Sequence, residues 1–413
     1  MALQQSAHKR FALLVIVLTS LGVVLVSRRS GTGTYVYDAC MKGVATEEVP
    51  GDVSRYDAYA ALETIYADML ASVEHESADS AWDAFQVAML MEAPDKGWVM
   101  SAEGRDIRHR CLEPVAALMV RLDAVLELPI IAAPRPTEWL DDAHEPPFLY
   151  MMRDLFRATA MQAVFEVYEQ SPTKMAALKR VIRFAQCVST VRPIDTNRLL
   201  TMCFVVGWGG QVISAAAPAL GSADMRTLVK LFEPPQLRMS AVSDALRVEY
   251  GLFKNAIERL ANVEAELRVF DVVDAVNALG SFYCAAIEDG EVDGVVSADL
   301  PKWVIEWEGA SGRERTTALF VLEHAANASR LYMEAGKAIV KWELTYLSCV
   351  AECERQACMR VDTFAALEAV CDRRVVNPFG GKGFSYDNRT GMVVATLPNN
   401  EVIQVGMPGT LGR

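Results

Sequence analysis

An uninterrupted apolar stretch near the start, FALLVIVLTSLGVVLVS, constrains this chain more than any other feature. It holds 17 uncharged residues, Phe11 to Ser27, between the basic pairs Lys9–Arg10 and Arg28–Arg29. A helix rises about 1.5 Å per residue, so the stretch spans roughly 25 Å, slightly less than a bilayer core, and the basic side chains can reach the headgroups at either end. The pattern predicts one transmembrane helix over residues 11–27, with the lipid bilayer as its partner.

The same stretch has a second interpretation, a cleaved signal peptide. The apolar run is longer than an ordinary signal-peptide core, and Arg28–Arg29 stand where a small-residue cleavage site should lie, so an uncleaved anchor is favoured. Basic residues on both flanks nearly balance the charge rule for orientation. The α-amine adds to Lys9 and Arg10, which favours an inside N-terminus. We therefore expect a single-pass protein of the cell membrane with its body outside the cytoplasm.

The rest of the chain divides by composition and periodicity. Residues 1–29 form the tail and anchor, and residues 30–53 are rich in Gly and Thr, which predicts a linker. Residues 54–371 place apolar side chains at helical spacing, so we expect a mainly α fold, a multi-helix bundle or array. Residues 372–413 predict a small β module. The uncharged stretch 203–220 has two interpretations, a second membrane span or a helix buried within the body.

The charge of the chain narrows the choice of partners. It carries 40 basic and 53 acidic residues, a net charge of −13. Such a chain has no excess of cations to neutralise phosphates, so we expect no nucleic-acid partner. An acidic body is also repelled by anionic lipid, which suits a domain that extends into solvent.

The stretch NPFGGKGFSYDNRTGMVVATLPNN, residues 377–400, has the glycines and lysine of a phosphate-binding loop. Such a loop needs a glycine five residues before Gly381, where Val376 stands, and a hydroxyl residue at the position of Gly383. The residues that follow alternate like strands around a turn at Asp387–Gly391, and EVIQV predicts a further strand. The pattern therefore indicates an antiparallel β-hairpin or a three-stranded sheet.

An acidic stretch, DGEVDGVVSADL, is the best candidate for a metal site. Asp289, Glu291 and Asp293 alternate, and a glycine follows at the sixth position, as in a calcium-binding EF-hand loop. The twelfth position is Leu300 rather than a bidentate acid, and Asp299 comes one residue early. Two interpretations stay open, a calcium-binding loop and an acidic turn between helices. Calcium is the only cofactor that the sequence suggests.

Nine cysteines are present, and four of them crowd towards the end: Cys349, Cys353, Cys358 and Cys371. In an exported body these predict a disulfide, for example from Cys349 or Cys353 to Cys371. They contain no C-x-x-C pair and have no nearby histidine, which disfavours zinc. The other five lie mostly in apolar helical contexts and are expected to be small buried residues. They are Cys40, Cys111, Cys187, Cys203 and Cys284.

The C-terminal stretch also carries a resemblance to a family. The matching positions are Pro378, Phe379, Gly381, Lys382 and Tyr386. They are similar to the D-P-F-x-G-K-P-x-x-Y turn of a group of uncharacterised, membrane-anchored, helical bacterial proteins, in which the turn accompanies a helix and a short antiparallel sheet. Asn377 stands for the Asp and Gly383 for the second Pro, and residues 150–270 also resemble that group. The resemblance implies a membrane-anchored helical protein and brings no known activity.

These observations favour an envelope protein with a structural or protein-interaction role, an unidentified protein partner and no catalytic residues. One alternative is a membrane-anchored hydrolase with its site in the acidic loops. Another is a subunit of a secretion apparatus, similar to pseudopilins. Arg10 precedes Phe11 where pseudopilins carry their Gly-Phe-type processing site, which counts against the last.

Overall fold

The computed structural model of the protein describes residues 41, 58–72, 96–128, 131–132, 147–192, 194–235, 237–263, 272–293, 302–306, 312–359, 361–379 and 383–406. The predicted anchor at residues 11–27 and nearly all of the predicted linker lie outside them. The described chain is mainly α-helical and ends in a small three-stranded antiparallel sheet, which confirms the coarse fold prediction.

Helices build the body. In chain order they are α1 Tyr59–Ser72, α2 Lys96–Val99, α3 Ala102–Ile107, α4 Ala116–Val125, α5 Pro147–Tyr168, α6 Lys174–Val188, α7 Thr196–Ala216, α8 Ser222–Leu231, α9 Ser240–Val263, α10 Val272–Asp293, α11 Lys302–Ile305, α12 Gly312–Gln356 and α13 Phe364–Ala369. A π-helical turn, Arg108–Leu112, follows α3, and a 3₁₀ turn, Ala217–Ala219, ends α7.

Strands are few and short. β1 Ile131–Ala132 pairs in parallel with β2 Val191–Arg192 inside the body. The C-terminal sheet consists of β3 Ser385–Asp387, β4 Met392–Thr396 and β5 Val402–Val405, in that spatial order and antiparallel throughout.

Helix α7 lies at the centre of the body. It begins after Asp195, whose carboxylate accepts the backbone N–H of Arg198 at 2.9 Å, and it gives way to a 3₁₀ turn at Pro218. Helices α5, α6 and α12 pack around it, so its side chains are apolar on nearly every face. The stretch Thr196–Ala219 is long and apolar enough to cross a membrane, yet most of it is buried within the body. This burial favours the core-helix interpretation of residues 203–220.

The 45-residue helix α12 is the main partner of α7. The two backbones approach closely at glycines: a Cβ on Gly209 would lie 2.9 Å from the ring of Trp342, and one on Gly210 would lie 3.1 Å from Oγ1 of Thr345. That hydroxyl donates to the carbonyl of Gly210 at 3.2 Å, which gives this carbonyl a partner from α12. Close packing of small against large residues therefore fixes how α7 lies on α12.

The chain that follows α12 folds back onto it. We call the described residues 359, 361–379 and 383–406 the C-terminal segment. Its strand β4 alternates as predicted, burying Val393 and Ala395, and both β4 and β5 contact α12. The predicted turn is present: the N–H of Gly391 donates to the carbonyl of Asp387 at 2.8 Å, and Gly391 adopts φ 70°, a left-handed conformation that favours glycine.

Candidate functional site

Buried charge and aromatic rings meet where the C-terminal segment contacts α12. We call this the C-terminal joint. It comprises Gly336, Lys337, Glu343 and Tyr346 of α12 together with Arg373, Phe379 and Glu401 of the C-terminal segment.

An aromatic ring lies against a helical glycine at one end of the joint. A Cβ on Gly336 would lie 2.1 Å from the tip of the Phe379 ring, so only glycine leaves room for it. Phe379 is buried, and Asn377 prepares its position because the Asn377 side-chain oxygen accepts the backbone N–H of Phe379 at 3.1 Å. Asp can form the same Asx turn. The turn thus gives a structural reason for Asn or Asp at this position of the D-P-F-like motif.

A buried ion pair forms the centre of the joint. Nη1 of Arg373 donates to both carboxylate oxygens of Glu343, at 2.9 and 2.8 Å, and Glu343 is only 3% exposed. Burial raises the pKa of Glu343, and the Arg373 guanidinium opposes that shift without cancelling it. The carboxylate therefore relies on Arg373 to stay ionised in the fold.

The Tyr346 ring completes this centre. The guanidinium carbon of Arg373 lies 4.1 Å from the ring centroid, within the range of a cation–π contact. Nε and Nη2 of Arg373 are buried and form no hydrogen bond. The face of the Tyr346 ring therefore gives the guanidinium part of the electrostatic stabilisation that water would otherwise give it. The Tyr346 hydroxyl accepts the backbone N–H of Asp372 at 3.2 Å, and burial raises the pKa of Tyr346 to about 12. The hydroxyl therefore stays protonated at neutral pH.

A more exposed ion pair lies at the edge of the joint. Nζ of Lys337 lies 2.7 Å from a carboxylate oxygen of Glu401, and both side chains retain contact with solvent. This pair joins α12 to the residue just before β5. Because solvent screens this ion pair, it contributes little to the stability of the contact. Its main effect is on how the C-terminal segment is aligned along α12.

The thiols around the joint are poor nucleophiles. Burial raises the pKa of the Cys371 thiol to about 11, and it also raises the pKa values of Cys349 and Cys353. A thiolate, not a thiol, carries nucleophilic and metal-binding chemistry. At neutral pH these three groups are therefore protonated and serve as packing residues.

The disulfide predicted among the last cysteines is corrected by the structure. Cys349, Cys353, Cys358 and Cys371 are all free thiols, whereas Cys284 on α10 is disulfide-bonded. The expected small buried cysteines are found at Cys111, Cys187 and Cys203. Crowding in the sequence was misleading because Cys349 is held inside the body by α12 while Cys358 lies exposed beyond its end.

The structure describes only the first part of the predicted calcium-binding loop. Asp289, Glu291 and Asp293 lie in the last turns of α10, so the backbone is helical there, whereas an EF-hand requires a loop. Asp299 lies outside the described residues. Within the described parts of the chain, no group of three or more His, Cys, Asp or Glu side chains is arranged to hold a metal ion.

Two further buried charge clusters join helices of the body. Asp154 on α5 is contacted by Arg153, Arg157 and the Tyr66 hydroxyl of α1. Burial raises the pKa of Asp154, and these three partners, which lower it, do not cancel that shift. Arg180 of α6 forms a bidentate pair with Asp123, at 2.7 and 2.8 Å, and donates to Gln162 at 2.7 Å. Arg180 and Asp123 pair across a helix contact, whereas Asp154 pairs with arginines of its own helix and accepts a hydrogen bond from Tyr66 of α1. Both are arrangements of structural ion pairs.

No protein family, curated protein or solved structure matches this chain. Sequence reasoning did not find Glu343 or Arg373, because 30 residues separate them and neither belongs to a motif. The one available signal for Glu343 was that it is the only acid in the mostly apolar stretch 335–351 of α12.

Proposed function

We propose that this protein is a membrane-anchored envelope protein whose body lies outside the cytoplasm and binds a protein partner through its C-terminal segment. In this proposal the role of the helical body is structural, because it holds the C-terminal segment in a fixed position on α12. The anchor at residues 11–27 and the family resemblance support the membrane part of the proposal. The bonded cysteine, Cys284, supports an oxidising compartment for the body.

The proposed binding of a protein partner depends on one observation. Ten large apolar side chains are exposed among the described residues, and four of them belong to the short C-terminal segment: Met359, Val370, Val376 and Val402. Val402 lies on β5, an outer strand of the three-stranded sheet in the described chain, and outer strands are a common place for a partner to add a strand. Exposed apolar side chains in one short segment favour contact with another protein.

Site-specific photo-crosslinking in native membranes tests the interaction. A photoreactive residue at Val402 or Val376 should give a protein adduct, whereas one at Val120 on α4, 70% exposed and far along the chain, should give none. Equal labelling from all three positions, or labelling from Val120 alone, would contradict the proposal. Protease treatment of intact cells against spheroplasts tests topology: the body should be cut only once the outer barriers are opened.

The hydrolase alternative placed its site in the acidic loops, and of those acids Asp289 and Asp293 lie within α10. No described contact favours it over an interaction role. The secretion-subunit alternative concerns the processing of residues 1–11, which lie outside the described chain. N-terminal sequencing of the mature protein tests it, and an intact Met1–Phe11 segment is the expected result.

A further inference from the structure

The parts of the C-terminal segment are joined to each other by contacts of their own. The Phe364 ring of α13 lies 6.1 Å from the ring of Phe384, the residue before β3. Nδ2 of Asn388, in the turn between β3 and β4, donates to Asp362, just before α13, at 3.1 Å. The short helix and the three-stranded sheet therefore form one unit, which docks as a whole.

This unit packs against one helix of the body. Within the described chain, α13, β4 and β5 all contact α12. On α12, Gly336 receives the Phe379 ring and Tyr346 accepts a backbone N–H from the segment. Lys337 and Glu343 each pair with an opposite charge of the segment. The α12 helix of a second copy offers the same groups, so the segment would form the same contacts there.

The C-terminal joint is selective about its occupant. A Cβ on Gly336 would lie 2.1 Å from Phe379, so the glycine leaves a notch of the size of an aromatic ring. The buried carboxylate of Glu343 is paired with the Arg373 cation, whose Nη1 lies 2.9 and 2.8 Å from its two oxygens. An occupant must therefore present a ring and a cation at the spacing of Phe379 and Arg373. A second copy of the C-terminal segment meets both conditions.

The charges of the joint make a docked segment exchangeable. Opening the joint returns Glu343 and Arg373 to water, which offsets part of the cost of exposing the apolar contacts of β4 and β5. The chain also has a place to turn: Cys358, exposed just after α12, adopts φ 60°, a conformation that is strained for residues other than glycine. Rotation of the backbone at Cys358 would relieve this strain and move the segment away from its own α12.

We infer that two copies of this chain exchange their C-terminal segments, so that each segment docks on α12 of the other copy. Each copy supplies one segment and one receiving helix, and the two identical contacts close a symmetric dimer. Copies anchored in one bilayer are confined to the same plane, which favours their meeting. The inference rests on the proposed function, because it names a second copy of this chain as the protein partner of the C-terminal segment.

Two charge-reversal variants, expressed separately and in the same cell, test the exchange. In Glu343→Arg two cations face each other across the joint, and in Arg373→Glu two carboxylates do, whether the segment docks on its own α12 or on that of an identical copy. Expressed alone, each should be cut between α12 and β3 on the order of 100-fold faster than the wild type, because breaking a buried pair opens the joint. Expressed together with different tags, the two variants should copurify and both regain protection, since exchange brings opposite charges together in both joints.

The matched control carries both reversals in one chain. It restores opposite charges in every arrangement, so it should be protected when it is expressed alone. Co-expressed single variants that stay as sensitive as each variant alone would overturn the inference.

A milder set of variants repeats the design at the exposed edge of the joint, where a reversal does not threaten folding. Lys337→Glu and Glu401→Lys should each be cut about twofold faster when expressed alone, and both should regain protection when expressed together. This set decides the question if the control with both reversals at Glu343 and Arg373 is itself cut quickly. Absence of mutual protection here would then overturn the exchange.

The two proposals fail in different ways. A photo-adduct of Val402 with a different protein, together with no mutual protection of the charge variants, would refute the exchange and leave the proposed interaction role. Mutual protection without any adduct from Val402 or Val376 would refute a partner contact at those positions and support the exchange.

Discussion

Helix α7 and the C-terminal segment both pack against α12, but they do so through different kinds of contact. Helix α7 approaches α12 through glycines on its own surface, and the resulting interface is apolar and closed to solvent. The C-terminal segment adds to the apolar contacts of β4 and β5 with α12 one ring on Gly336, one buried ion pair and one exposed ion pair. Both contacts include residues of the hydrophobic core, but the second also depends on paired charges. A defect at the first should therefore unfold the body, and one at the second should release only the C-terminal segment.

The largest effect is expected from Arg373→Ala, which leaves the Glu343 carboxylate buried without its cation. Breaking a buried pair from one side costs about 3 kcal/mol. Hydrogen exchange should show loss of protection in β3, β4 and β5 while α7 keeps its protection. The matched control is the double variant Glu343→Leu with Arg373→Met, which removes both charges and should recover most of the loss. Equal loss of protection in α7 would show that the two contacts are not independent.

The cost of Arg373→Ala should depend on pH. Burial already raises the pKa of Glu343. Removing Arg373 removes the charge and the hydrogen bonds of its guanidinium, which lower that pKa, and leaves only the backbone hydrogen bond of Val376 to oppose burial, so the pKa rises further. A raised carboxyl pKa contributes stability that is present at acid pH and lost as pH rises through the folded-state pKa. The deficit relative to wild type should therefore be small below the ordinary Glu value and grow towards neutral pH. Denaturant titrations at several pH values measure it, and a deficit that grows towards acid pH contradicts this account.

Gly336→Ala should displace the Phe379 ring, since the new methyl group would overlap it. Overpacking of this kind costs about 2 kcal/mol, and the loss should again be confined to the C-terminal segment. Limited proteolysis should cut between α12 and β3 faster than in the wild type. The control is the same substitution with Phe379→Ala, which makes room for the methyl group. If that pair is cut no faster than Phe379→Ala alone, the ring contact is the cause.

Gly209→Ala tests the other contact. Its methyl group would lie 2.9 Å from the fully buried Trp342 ring, so about 1–2 kcal/mol of stability should be lost, and by the whole body. Gly207→Ala is the matched control on the same helix, because its methyl group would meet Ala338 at an ordinary 3.8 Å. That change should be neutral or stabilising, given the higher helix propensity of Ala. Thermal unfolding followed by circular dichroism distinguishes them, and equal Tm values for the two variants would count against the close approach.

The smallest effect is expected from Lys337→Ala at the exposed edge of the joint. Loss of the Glu401 pair should cost about 0.5 kcal/mol at low salt and less at high salt, because solvent and ions screen it. Denaturant titration in low and high salt measures the difference. A cost that persists unchanged in high salt would mean that the aliphatic stem of Lys337, rather than its charge, makes the contact.

The contrast also shows which features could be read from the sequence. The alternation around Asp387–Gly391 predicted the C-terminal sheet, because side chains in a strand repeat every two residues and the turn needs a glycine. The acids at 289–293 suggested a loop, yet they continue α10, since alternation of charge does not by itself break a helix. The cysteines suggested a disulfide near the end, yet proximity along the chain does not by itself bring thiols into bonding geometry.

The sequence by itself determined a helical body, an apolar stretch at residues 203–220 and a short C-terminal sheet, because these depend on local periodicity and on residues that start and stop helices. The tertiary structure alone decided that α7 is a core helix, that Glu343 pairs with Arg373 and that Phe379 lies on Gly336. Each of these depends on residues brought together by packing across long stretches of chain. Periodicity describes one segment at a time, so it does not specify which buried charge or ring will meet another.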